Sequence, residues 1–102
     1  MISLVEQKRD GIAEHCRRLN VRRLDVFGSA ATGAFDPEKS DIDFLVEFGE
    51  HDRPGIAKRY FDLEKSLAAL LGREIDLVMA QPFENPYFRA NVEAEKELVY
   101  AT

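Results

Sequence analysis

The chain has 102 residues, of which 45% are apolar, so it can bury one core but hardly two, and we expect a single domain over residues 1–102. No apolar run reaches membrane-spanning length, no signal-peptide segment opens the chain, and the lone Cys16 fits a reducing cytoplasm. A net charge of −5 argues against direct nucleic-acid binding, which needs a basic surface, and is compatible with docking on a basic protein partner.

The N-terminal segment predicts a helix. Ser3 and Glu6 have the spacing of a capping box, and Val5, Ile12, Cys16 and Leu19 then recur at helical intervals. We therefore expect an amphipathic helix over residues 4–19, with Cys16 in its buried face. Residues 22–27 predict the first strand.

A glycine-serine pair and two aspartates follow this strand. Gly28-Ser29 opens a short helical turn predicted over residues 29–34, and Asp41-Ile42-Asp43 opens a second strand over residues 41–48. Alternate side chains of a strand share a face, so Asp41 and Asp43 point the same way, about 6.6 Å apart. Two ionised carboxylates so close repel unless a cation lies between them, and their hard oxygens suit Mg²⁺.

The residues around the pair favour a phosphate ligand. Glycine lets the backbone approach a phosphate closely, and Ser29 adds a hydroxyl and N–H groups at a helix start. Lys39 and Ser40 lie immediately before Asp41. Lys39 is either a phosphate contact or a solvated loop lysine.

A helix and a third strand complete the candidate site. Apolar residues recur at helical spacing over residues 56–71, which predicts a helix. Gly72 is expected to end this helix, and Pro54 to lie in its first turn. Residues 73–79 predict a strand that contains Asp76. A strand–helix–strand order is typical of a parallel crossover, which would bring Asp76 to the sheet end that carries the aspartate pair. The alternatives are an ion pair of Asp76 with Arg73 or another surface cation, and Glu74 as the third carboxylate.

The C-terminal region predicts a last helix. Asn85-Pro86 is a helix start, Phe88, Val92 and Val99 continue a buried stripe, and the charged run at 93–97 forms a solvated face. Together the elements predict an α/β (α+β) fold in which a small mixed sheet packs with about three to four helices.

The motif as a whole resembles the nucleotidyltransferase superfamily that includes DNA polymerase beta. It is most similar to the minimal nucleotidyltransferases, the MNT-type antitoxins that partner HEPN-domain toxins. That family combines Gly-Ser, a spacer of about ten residues, Asp-x-Asp and a later carboxylate. Here these are Gly28-Ser29, residues 30–40, Asp41-Ile42-Asp43 and Asp76.

The resemblance implies an enzyme. Asp41, Asp43 and Asp76 would be catalytic and would hold Mg²⁺, as two ions. Gly28, Ser29, Lys39 and Ser40 would bind ATP as the co-substrate. The reaction would transfer AMP to a tyrosine hydroxyl of a cognate HEPN-domain toxin and so neutralise it, within a hetero-oligomer of the two proteins.

Three features depart from the family pattern. The spacer is one residue longer than the common form, and Thr32 stands where many relatives carry an arginine. The chain also shows no second domain that would select a base or an acceptor, so a partner or an oligomer is expected to provide that surface.

Other functions fit the same residues. A non-catalytic antitoxin would block the toxin by forming a complex with it. A nucleic-acid 3′ end is an alternative acceptor, which the acidic composition disfavours. A fragment of a tRNA- or antibiotic-modifying transferase is a further alternative, although such enzymes usually need an additional substrate domain.

Overall fold

A computed structural model describes residues 1–32, 36, 41–50, 53–80 and 92–102. Its helices are α1 (Ser3–Gln7), α2 (Arg9–Arg18), α3 (Ser29–Thr32) and α4 (Ile56–Leu71), with a further helical turn over residues 92–95. Its strands are β1 (Val21–Phe27), β2 (Ile42–Phe48), β3 (Ile75–Met79) and β4 (Glu97–Ala101).

The four strands form one mixed sheet in the order β3-β2-β1-β4. Strand β1 is antiparallel to both β2 and β4, whereas β2 and β3 are parallel. The predicted α/β fold is therefore confirmed, together with the parallel pairing that was expected for the second and third strands. The assignment of residues 1–102 to one domain stays a prediction.

The main core lies between one face of the sheet and the helices. Alternation along β2 sends Ile42, Phe44 and Val46 into this core, where they pack with Leu63 and Leu67 of α4. The opposite face carries a smaller cluster of Phe27, Leu45 and Val92. The predicted carboxylate positions of β2 and β3 belong to this second face.

The prediction of one continuous N-terminal helix was wrong. Helices α1 and α2 are separated at Lys8, whose φ of −100° and ψ of 9° interrupt the helical geometry. The N-cap of α1 is Ile2, without a side-chain capping bond, so Ser3 is not the predicted cap. Cys16 is buried as expected, and burial raises the pKa of its thiol to about 12.

The boundaries of α4 match the prediction. It spans Ile56–Leu71 and ends at Gly72, which has a φ of 66°. Pro54 is not in its first turn, however, because the N-cap is Gly55. Strand β1 begins one residue before its predicted start, β2 one residue after and β3 two residues after.

The prediction that the last helix continues through Val99 was wrong. Residues 92–95 are helical, but Glu97–Ala101 form a strand that pairs with β1, so Val99 reaches the core from a sheet edge. The predicted helix start at Asn85-Pro86 and the residue Phe88 lie outside the described residues. Among the helices of the described segments, none is long and apolar enough to cross a membrane.

Candidate active site

Two carboxylates lie side by side where β2 and β3 begin. The parallel register pairs Asp43 with Asp76, and the antiparallel register pairs Phe27 at the end of β1 with the same Asp43. Paired residues in neighbouring strands project from the same face of a sheet. The two aspartates are 33 positions apart in the chain, yet their carboxyl groups are close enough to share a hydrogen bond.

The electrostatics of the pair are unfavourable for two free anions. Asp43 is half-buried, and the pKa of its carboxyl is raised to about 6, mainly by burial and in addition by the charges of Asp76 and Asp41. Asp41 is exposed immediately before β2. No ion pair among the described residues includes any of the three aspartates. Their mutual repulsion therefore creates a site that a cation would stabilise.

Gly28 packs directly against Asp43. It follows β1 with a φ of +67°, a conformation that suits glycine, and a methyl group placed there would lie 2.6 Å from Asp43 Oδ2. The glycine of the Gly-Ser motif is thus required twice, for the turn and for the space that the carboxylate occupies. Sequence reasoning assigned Gly28 a phosphate role and missed this contact.

The Gly-Ser corner is held by the short helix that follows. The carbonyl oxygen of Gly28 accepts hydrogen bonds from the N–H groups of Ala31 and Thr32 and from the Thr32 hydroxyl, each at 3.1 Å. Thr32 therefore holds the turn in place through both its backbone N–H and its hydroxyl. The four-residue spacing between Gly28 and Thr32 is the sequence pattern that indicates a hydrogen bond from the threonine hydroxyl to the preceding carbonyl oxygen. Ser29 is the partly exposed first residue of α3.

The remaining predicted site residues are placed as follows. Lys39 and Ser40 lie outside the described residues. Glu74 is exposed, and its carbonyl oxygen accepts a hydrogen bond from the N–H of Ile42 at 3.3 Å. The charges of Asp76 and Asp41 raise the pKa of Asp43.

The carboxylate oxygens of the site fit a cation that is bound by the protein and by a ligand at the same time. Within the described segments, no three acidic, histidine or cysteine side chains are grouped so as to hold a metal on their own. Mg²⁺ is typically held by one or two carboxylates together with substrate phosphates, and Asp43 and Asp76 provide such a pair. The hard oxygens and the concentrated negative charge therefore suit Mg²⁺ that arrives with a phosphorylated substrate.

Comparison with known families identifies the fold and its class. The family model described as a nucleotidyltransferase domain matches residues 9–99. The chain belongs to the nucleotidyltransferase domain family. Its predicted enzyme class is confirmed by this membership, and the co-substrate of a nucleotidyltransferase is a nucleotide. The expected site residues of this nucleotidyltransferase stay predictions.

Three similar proteins illustrate the range of relatives. A candidate protein adenylyltransferase of Methanocaldococcus jannaschii is 40% identical over 83 residues, which cover 81% of this chain and 79% of the relative. A solved structure described as a candidate minimal nucleotidyltransferase is 31% identical, with a TM-score of 0.77 over 94% of this chain and 95% of that one.

The third is a chain of a solved complex between a tri-AMPylated HEPN toxin of Shewanella oneidensis and an MNT antitoxin. It gives a TM-score of 0.67 at 18% identity, over 96% of this chain and 73% of that chain. This likeness concerns the fold. The resemblance to minimal nucleotidyltransferases that the motif predicted is confirmed.

Proposed function

We propose that this protein is an antitoxin that transfers AMP from ATP to a tyrosine hydroxyl of a HEPN-domain toxin. The observation that carries the proposal is the Asp43–Asp76 pair, set in register on neighbouring strands and packed against the Gly28 corner, in a member of a nucleotidyltransferase family. A relative 40% identical is named for protein adenylylation, which supports AMP as the transferred group.

The proposed roles follow from the chemistry of each group. When bound, Mg²⁺ supplies positive charge that offsets the charge developing on the triphosphate. Asp41, Asp43 and Asp76 hold the cations. The backbone at Gly28 and Ser29 binds the phosphates, with Lys39 and Ser40 as further contacts.

The reaction exchanges one phosphorus–oxygen bond for another. The tyrosine oxygen of the acceptor attacks the α-phosphorus in line, the bond from this phosphorus to the bridging oxygen breaks, and pyrophosphate leaves. The proton of the hydroxyl passes to Asp76, which is exposed at the edge of the site and can release it to water. The product is an AMP ester of the toxin.

The toxin itself is proposed on two grounds. One chain of the complex that contains an AMPylated HEPN toxin shares the fold of this chain. A chain with a net charge of −5 is also electrostatically suited to a basic partner. A non-catalytic antitoxin that blocks the toxin by occlusion is the competing function. The two differ in whether the toxin is altered covalently.

The test is a mass measurement on the partner. The protein is incubated with labelled ATP, Mg²⁺ and the product of the adjacent reading frame, and the intact mass of that product is measured. We expect one or more added AMP units, and no addition with the Asp41→Asn/Asp43→Asn double variant. An unmodified partner, together with full protection by the double variant, would show that occlusion is the function.

A further inference from the structure

Asp76 and Asp43 differ in how firmly the backbone holds them. Strand β2, which carries Asp43, lies between β1 and β3 and is hydrogen-bonded on both sides. Strand β3, which carries Asp76, pairs with β2 on one side and is the end strand of the described sheet. An end strand has backbone hydrogen bonds to a neighbour on one side only. An additional contact to such a strand therefore has a larger effect on where the strand lies.

Tyr60 of α4 provides such a contact. Its hydroxyl donates a hydrogen bond to the carbonyl oxygen of Leu77, the residue after Asp76. This carbonyl faces away from β2, because the groups bonded to β2 belong to the even-numbered residues: Glu74 accepts from Ile42, and Ala80 donates to Val46. Tyr60 therefore fastens the outer side of β3 next to the site.

The Tyr60 ring is itself held in place. It packs against the main core, and the Phe61 ring meets it edge-on, with centroids 5.3 Å apart and an interplanar angle of 84°. Helix α4 is sixteen residues long and buries Leu63, Leu67 and Leu71. The hydrogen-bond donor thus comes from a well-packed element rather than from a loop.

We infer that Tyr60 is a positioning residue, which holds the Asp76 segment of β3 opposite Asp43 through the carbonyl of Leu77. This inference rests on the proposed function, in which Asp76 acts as ligand and base. Burial raises the pKa of the Tyr60 hydroxyl, and Glu64 and Asp76 raise it further, so the hydroxyl stays a neutral donor. Phenylalanine at this position would keep the ring and lose only the bond.

The experiment compares Tyr60→Phe with Tyr100→Phe. Tyr100 lies in β4, the end strand at the opposite edge, and also packs against the main core, so it matches the size and setting of the change. We expect Tyr60→Phe to lower kcat about five- to tenfold, the effect of one neutral hydrogen bond, with KM for ATP changed less than about twofold. Tyr100→Phe should leave both constants at the wild-type values.

Two further measurements do not depend on turnover. Amide hydrogen exchange at Asp76 and Val78 should quicken in Tyr60→Phe, while exchange in β4 stays unchanged. When Mg²⁺ is titrated into the protein in the presence of ATP and binding is followed by the NMR signals of β2 and β3, Tyr60→Phe should need an about fivefold higher Mg²⁺ concentration for half-saturation. A general loss of stability would instead change exchange throughout the sheet.

The outcomes separate the two proposals. Wild-type kcat, Mg²⁺ dependence and β3 exchange in Tyr60→Phe would overturn the positioning role while leaving the proposed function intact. Absence of AMP transfer by the wild-type protein would overturn the proposed function, and the exchange and Mg²⁺ titrations would still decide whether Tyr60 holds β3.

Discussion

At the scale of single residues, two glycines with the same backbone angle provide a controlled comparison. Gly28 and Gly72 have φ values of +67° and +66°, but a methyl group at Gly28 meets Asp43 Oδ2 at 2.6 Å, whereas at Gly72 nothing lies within 4 Å. Substitution by alanine imposes the same backbone strain at both positions, about 1 kcal/mol. Only at Gly28 does it also displace a carboxylate.

We therefore expect Gly28→Ala to abolish nucleotidyl transfer and Gly72→Ala to retain it. Both variants should unfold at lower urea concentration than the wild type, with Gly28→Ala the less stable of the two. Initial rates and urea midpoints measured side by side test this. Equal rates in the two variants would show that the contact with Asp43 has no role in the chemistry.

Asp43 also predicts a pH dependence of stability. Burial, together with the charges of Asp76 and Asp41, raises the pKa of its carboxyl from 3.8 to about 6. The folded protein therefore binds this proton more tightly than the unfolded chain, and stability falls as the pH rises from about 4 through 6. A carboxamide does not titrate in this range, so the Asp43→Asn variant should gain in Tm relative to the wild type across this window and keep the gain above it.

Melting curves between pH 4 and pH 8 in the presence of a chelator measure that difference. Addition of Mg²⁺ and ATP at pH 7 should then raise the Tm of the wild type more than that of Asp43→Asn, because the carboxylate gains a cation. Parallel pH profiles for the two proteins would contradict the raised pKa.

At the scale of elements, Arg59 ties three segments together at the far end of β2. Its guanidinium donates to the carbonyl oxygens of Leu19, Gly49 and Glu50, at 3.3, 2.9 and 3.0 Å, and lies over the Phe48 ring at 5.1 Å. Phe48 is five residues from Asp43, about 16 Å along the strand. The cluster is thus remote from the candidate active site.

The substitution Arg59→Lys keeps the charge and removes the planar fork. We expect it to lower the free energy of unfolding by about 2 kcal/mol, since a point-like ammonium cannot reach three carbonyl groups at once. Lys58→Ala, at an exposed neighbouring position of the same helix, should change it by less than about 0.5 kcal/mol. Urea unfolding measures both, and a matching fall in kcat for Arg59→Lys would contradict its remote structural role.

The elements that sequence reasoning predicted well are those with a strong local pattern. Apolar spacing and Gly72 defined α4 to the residue, and alternation along β2 separated the core-facing side chains from the aspartates. Strand β4 was missed because its first residues follow a run of strong helix formers at 93–96, and the apolar run at 98–100 suits either element. What makes it a strand is pairing with β1, which no local pattern reveals.

The candidate site likewise contains features that the sequence predicts and features that it does not. Motif and spacing predicted Asp41, Asp43 and Asp76, and the element order predicted that their strands would meet. The packing of Gly28 against Asp43 and the bond from Tyr60 to β3 could not be predicted, because each depends on which residues become neighbours in space. Helix α4 carries Tyr60 to the sheet edge, and the sequence shows no signal for that.

At the scale of the whole molecule, the sheet brings distant parts of the chain to one end. Antiparallel β1 ends where parallel β2 and β3 begin, so the Gly-Ser corner and both paired carboxylates meet on one face. Helices α1 to α4 pack on the opposite face. On the face of the carboxylates Asp76 is exposed and Asp43 is half-buried. In the proposed reaction the acceptor hydroxyl reaches this end on a partner protein.

The central claim is that Asp43 and Asp76 act together in nucleotidyl transfer, and the most direct test is the initial rate of AMP transfer to the partner by three matched variants. Asp43→Asn and Asp76→Asn should each lose at least about a hundredfold in rate, because each removes a proposed cation ligand. Glu74→Gln neutralises an exposed carboxylate two residues before Asp76 and should stay within about twofold of the wild type. Full activity in Asp76→Asn, or a loss in Glu74→Gln equal to that of Asp43→Asn, would contradict the account.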